Sequence, residues 1–147
     1  MLEPLIAYLH YLSILLTTGF LVGELVMCRP GLTAEQARRL VVIDIVFFAT
    51  AMGALATGLL RLFFYAKGVS FYTGNPFFWV KMALFVIIAA LSIKPTRTFM
   101  SWKRTVSAGI GPDGDAIAGV RRFVHLELGL LALMPLLAVL MARGIGR

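Results

Sequence analysis

The stretch "IAYLHYLSILLTTGFLVGELVM", Ile6 to Met27, decides the fold. It is long enough to cross ~30 Å of hydrocarbon, which takes ~20 apolar residues. Three further apolar runs of similar length follow, at roughly Leu40–Phe64, Phe77–Ile93 and Phe123–Ala142. None shows the alternation of a barrel strand. Of the chain's 147 residues 60% are hydrophobic, against about 45–50% in a globular domain. The four runs account for the excess. The expectation is an all-α protein: one domain over 1–147, folded as a four-transmembrane-helix bundle with both termini on the same side.

The opening stretch also carries a polar stripe. Glu3, His10, Thr17 and Glu24 stand seven apart, so they share one face of a helix. Glu3 precedes the apolar run and no basic segment leads it, so the run reads as a retained span and not as a cleaved leader.

Charge sorts by side. Call the side with both termini A and the other B. The B loops hold nine cations: Arg29, Arg38, Arg39, Lys94, Arg97, Lys103, Arg104, Arg121 and Arg122. Side A holds five: Arg61, Lys67, Lys81, Arg143 and Arg147. The bias of Lys and Arg toward the inside makes B cytoplasmic and both termini external. The net charge of +7 then reads as topology and contact with an anionic lipid bilayer, with no nucleic-acid role. Cys28, the single cysteine, has no internal disulfide partner.

Local signals fix the ends of the spans. Arg29-Pro30-Gly31 stops the first helix. Thr33-Ala34-Glu35-Gln36 is a capping box for the second. Asn75-Pro76 places an N-cap ahead of a proline at the first helical position of the third. The third span ends near Lys94-Pro95, and Thr96–Arg104 suits an amphipathic interface segment. Asp115 caps the fourth helix, and Pro135 lies inside it. Small residues four apart, Ala49, Gly53 and Thr57 with Thr50, Ala54 and Gly58, permit close helix contact.

Ionisable groups inside a bilayer are expensive and mark function by default. His10 lies about five residues into the first span, roughly 8 Å from edge A. Lys81 sits at a similar depth in the third span. Arg61 and Lys67 come from the A end of the second, where Tyr65, Phe71, Tyr72 and Trp79 fit an interfacial aromatic belt and Tyr8, Tyr11 and Asn75 are also available. On side B, Glu24, Asp44, His125 and Glu127 lie among arginines, which reads mainly as an ion-pair network. His10 and His125 start from opposite sides, roughly 15–20 Å apart along the bundle axis. Two ligands of one iron need donor atoms only about 4 Å apart, so the two histidines do not share a haem. If His10 binds iron, Lys81 is the best-placed second ligand through a neutral amine. Arg61 and Lys67 would then hold porphyrin propionates. The same residues also admit structural roles: a histidine bonded to a neighbouring helix, and cations extended to the interface. There is no His-x-x-x-His pair, cysteine pair, phosphate loop or dinucleotide fingerprint.

The runs "GELVMCRPGL", "ARRL", "KGVSFYTGNPFFWVK", "LSIKPT" and "MARG" look like a bacterial family of small four-helix membrane proteins of unknown function. That likeness covers nearly the whole chain. More distantly the sequence resembles haem-b protoporphyrinogen IX oxidases and copper-resistance-D-like membrane domains. The oxidase-like positions are His10, Arg29 with Arg38 and Arg39, Gly58-Leu59, Lys81 in "FWVK", and Glu127. The resemblance implies His10 as a haem ligand and Lys81 as a ligand or active-site cation. The sequence departs from the oxidases at Thr17-Thr18-Gly19-Phe20 and at His125-Leu126-Glu127, where substrate-facing motifs would stand.

The leading expectation is a haem b redox protein of the bacterial inner membrane. It would oxidise a porphyrin or pass electrons to a quinone, with catalytic and metal-ligating roles for His10 and Lys81. Two alternatives stand beside it. One is a non-catalytic module that packs as a homo-oligomer or with a partner, through the second helix and Gly19/Gly23. The other is a small proton-coupled transporter using Glu24, Asp44 and His125.

Overall fold

A computed structural model describes residues 2–65 and 67–146. Arg147, counted with side A above, and Ala66 in the second loop lie outside the described residues. Four helices are long and apolar enough to cross a membrane. They are α1 (Leu2–Met27), α2 (Ala34–Leu60, continued by a π turn at Arg61–Tyr65), α4 (Pro76–Ser107) and α5 (Gly114–Ala142), with a short α3 (Val69–Thr73) between α2 and α4. No strand occurs among the described residues.

The helices form a square bundle. α1 packs along α2 and α4 along α5, and these hairpins meet through α2 against α4 and α1 against α5. The ends of the described chain lie at one end of the bundle, end A. There the Asn75 side chain donates to the Ile145 carbonyl at 3.0 Å.

The capping box forms as the sequence reads. The Gln36 amide donates to the Thr33 hydroxyl at 3.2 Å, and the Thr33 amide donates to the Gln36 side chain at 3.0 Å. Asn75 caps α4 by accepting from the Phe77 amide at 2.9 Å.

Two boundaries differ from the sequence reading. α4 does not end at Lys94-Pro95 but runs 32 residues to Ser107. Pro95 removes one helical hydrogen bond, yet its ring is buried. Beyond it Phe99, Trp102 and Val106 pack into the end-B core. Tertiary burial therefore carries the helix past the proline, and Thr96–Arg104 belongs to α4. The N-cap of α5 is Asp113 and not Asp115. Asp115 sits in the first turn, where its charge complements the helix dipole.

The apolar core is concentrated at end B. Leu21, Cys28, Leu32, Ala37, Leu40, Val41 and Phe47 of the first hairpin meet Phe99, Trp102, Val106, Ile117, Val120 and Val124 of the second. Toward end A the helices expose large apolar side chains such as Leu15, Phe48, Val86 and Leu136. That pattern suits a surface solvated by lipid, where helix contact depends on close packing and hydrogen bonds.

Candidate functional site

The stripe on α1 turns progressively into the bundle. Glu3 is exposed, His10 half-buried, and Thr17 and Glu24 are buried. Its inner part faces α2. His10 Nδ1 lies 3.0 Å from both the Ala54 carbonyl and the Thr57 hydroxyl. The carbonyl can only accept, so Nδ1 carries the proton and donates. Thr57 in turn donates to the Gly53 carbonyl at 2.6 Å. Nε2 is left without a hydrogen bond among the described residues.

Gly58 makes this approach possible. A β-carbon there would stand 3.1 Å from His10 Cε1. At Gly53 it would stand 3.1 Å from the Ser13 hydroxyl. Further along, the Thr17 hydroxyl bonds the Thr50 hydroxyl at 3.1 Å. Apart from the exposed Ala49, the small-residue rows of α2 therefore face α1 within the chain.

Three of the four sequence-predicted residues converge at end A. Lys81 and Arg61 both act electrostatically on His10, and Arg61 acts on Lys81. Arg61 opens the π turn that ends α2, a kind of irregularity frequent at functional sites. Its guanidinium stands 5.6 Å from the centre of the Tyr11 ring, and its Nε is buried with no hydrogen-bond partner among the described residues. Lys67 is exposed, with Nζ 4.7 Å from the centre of the Phe71 ring. It is not among the groups acting on His10.

End B departs from the ion-pair expectation. The one salt bridge among the described residues is Arg39–Glu35, on the surface at 3.1 Å. Arg29, Arg38, Arg39, Lys94, Arg97 and Arg122 all point outward. Arg121 donates through Nη1 to the carbonyls of Leu25, at 2.9 Å, and Cys28, at 2.6 Å. It thus closes the C-terminal end of α1 and forms no salt bridge with Glu24. The acids gather instead. Asp44 and Glu127 both act on Glu24, and Asp44 on Glu127. His125 stands outside this group, exposed and bonded to the Arg121 carbonyl at 2.6 Å. Two residues subtend about 200° of helix, so His125 and Glu127 face opposite ways. The heptad-like run Val120, Val124, Glu127 marks the buried face and was the signal that separates them.

Among the described residues no group of three or more His, Cys, Asp and Glu side chains is arranged to hold a metal ion. A haem would need only one or two protein ligands.

No curated protein and no solved structure matches the chain. The likeness to haem oxidases and copper-resistance domains therefore rests on the short motifs quoted above. A family model described as "Predicted membrane protein (DUF2214)" matches residues 2–146. With nearly its whole length inside that match, and four helices fit to cross a membrane, the chain belongs to this family of membrane proteins.

Proposed function

We propose that this protein holds a b-type haem at end A, the external side, and serves as a redox protein of the bacterial inner membrane. The observation that carries the reading is the state of His10. Its Nδ1 is anchored on α2 and its Nε2 is unbonded. Metal-ligating histidines almost always donate the second ring nitrogen to a carbonyl or carboxylate, which fixes the ring and its tautomer.

The neighbouring charges support the same ligand. Among the described residues Arg61 and Lys81 act on His10, no acid is among the groups acting on it, and Arg61 Nε lacks a partner. A porphyrin propionate would supply the missing anion and take a charge-assisted hydrogen bond from the guanidinium. Lys81 would serve as second ligand or as an active-site cation. Lys67 would reach a propionate only from the aqueous face. A bound haem would supply one-electron chemistry toward a porphyrin or a membrane quinone. The protein's own part is to fix the imidazole, place the cations and exclude water.

For a non-catalytic packing module, the α2 glycines Gly53 and Gly58 are already covered by Ser13 and His10, which leaves Gly19 of α1, where a β-carbon would meet nothing within 4 Å, as the open small-residue surface.

The test is an optical spectrum of protein purified after expression with ample haem, oxidised and then reduced with dithionite. A Soret band that shifts on reduction, and that is lost in His10→Ala with helix content retained, is the expected result. A wild-type protein with no Soret band overturns the reading.

A further inference from the structure

Each of the four long helices sends one polar side chain to a common level near end B: Glu24 from α1, Asp44 from α2, Thr96 from α4 and Glu127 from α5. The Thr96 hydroxyl donates to Asp44 Oδ1 at 2.9 Å. Glu24 and Glu127 are each 1% exposed. Glu24 Oε1 and both carboxyl oxygens of Glu127 are buried without a hydrogen-bond partner among the described residues.

No cation among the described residues is paired with this group. Arg121 of α5 is committed to the α1 carbonyls. Lys94 of α4 is exposed, with Nζ 4.8 Å from the centre of the Phe123 ring. Arg97 of α4, and His125 and Arg122 of α5, face outward. Among the described residues, Cys28 is the remaining titratable side chain buried at this end. Three unpaired carboxylates in so dry a place would each carry an effective penalty of several kcal/mol and would repel one another. Neutral acids avoid both costs and gain O–H donors for one another.

The surroundings are asymmetric. Toward end B the group is closed by Leu32, Phe99, Trp102, Val106 and Ile117, all buried. Toward end A the buried Leu21 and Phe47 come first, and beyond them the α1–α2 seam is polar: the Thr17–Thr50 hydroxyl pair, Ser13 at Gly53, then Thr57 and His10. We propose that Glu24, Asp44 and Glu127 form a proton-exchanging site, held as carboxylic acids at rest and exchanging with the end-A face past Leu21 and Phe47, along the polar part of this seam. Loading forms one O–H bond on a carboxylate, with a proton from the aqueous phase. Unloading breaks that bond and returns the proton to water, with no change in oxidation state. The site stands whether or not end A binds haem.

The test is infrared spectroscopy of the full chain in vesicles of ether-linked phosphatidylcholine, which has no ester carbonyl, following the C=O stretch of protonated carboxylic acid. Exposed carboxyls are ionised at neutral pH, so the band reports buried acids and needs no variant to be read. The expected result is a band present at neutral pH, smaller in Glu24→Gln and in Glu127→Gln with helix content unchanged. In deuterium oxide the band shifts, and the Thr17→Val, Thr50→Val double variant slows that shift several-fold. Absence of the band at neutral pH overturns the site, as does a band unchanged in both glutamine variants. A deuterium shift as fast in the double variant as in wild type overturns the route along the seam.

Discussion

Arg121 donates to the Cys28 carbonyl at 2.6 Å, and through the same nitrogen to the Leu25 carbonyl. One guanidinium from α5 thereby closes the end of α1, whose last carbonyls have no helical donors. The group also places positive charge at the negative end of the helix dipole. Arg121→Ala is expected to lower stability by about 1.5–3 kcal/mol, the range for hydrogen bonds to charged groups. Arg121→Lys should recover only part of that, because a single ammonium lacks the planar fork. Chemical denaturation in detergent, followed by helix content, measures both.

Beside that carbonyl, the Cys28 thiol is fully buried. Burial pushes it from 9.0 up to about 11, against the pull of the Arg121 charge. The folded state therefore holds the thiol proton more tightly than the unfolded chain does. The stabilising contribution is complete below pH 9.0 and is lost as pH rises through about 11. An alkaline denaturation profile should fall across that window in wild type and flatten in Cys28→Ala. Since thiolate is the reactive form, maleimide labelling at pH 8 should be slow in the native protein and rapid once SDS unfolds it.

How much of this was legible in the sequence depends on what each residue type reports. Apolar run length gives the four spans, and Thr33–Gln36 and Asn75-Pro76 give two helix starts, because caps are local chemistry. Pro95 misleads, because a propensity read along the chain does not contain Phe99 and Trp102 anchored against other helices. The depths of Glu24, Asp44 and Glu127 are legible, and so is the presence of arginines at that level. The rotation of each helix is not read from depth, and rotation decides that Arg121 turns onto the α1 carbonyls, the other arginines face out and the acids face in. His10 and Lys81 come to the same end of the bundle as their depths imply. That His10 grips the α2 backbone through Ala54 is a contact only the packed helices reveal.

The link from His10 to Thr57 joins α1 to α2 in the half of the bundle with the least apolar core. Hydrogen bonds between membrane helices average about 0.6 kcal/mol and reach about 1.7. His10→Leu should fall within that range for each bond lost, and Thr57→Val below it, since the Ala54 carbonyl still accepts. A double-mutant cycle between the two positions, read by unfolding in mixed micelles, should give a non-zero coupling. Gly58→Ala places a β-carbon 3.1 Å from His10 Cε1 and should displace the ring. Its effect should shrink to near zero in the His10→Ala background.

Asn75 is the remaining polar anchor at end A, and it is completely buried. Its carbonyl oxygen accepts from the Phe77 amide and its amide nitrogen donates to the Ile145 carbonyl. One side chain thus starts α4 and holds the turn after α5. Asn75→Asp keeps the cap acceptor and loses the donor, whereas Asn75→Ala loses both. Removing an N-cap acceptor costs about 0.5–2 kcal/mol, and losing the part-buried bond to the Ile145 carbonyl adds about 0.5–1.5. Alanine should therefore be the more damaging of the two unless the aspartate is ionised next to the Ile145 carbonyl. In that case the two variants converge at neutral pH and separate on acidification, as the protonated acid regains a donor. The tail has a second constraint in the same place. Gly146 has φ +93°, and a β-carbon there would meet the Phe77 ring at 2.9 Å. Gly146→Ala should loosen the tail from Asn75 and raise amide exchange at Gly144 and Ile145, leaving the α1–α2 hairpin unchanged.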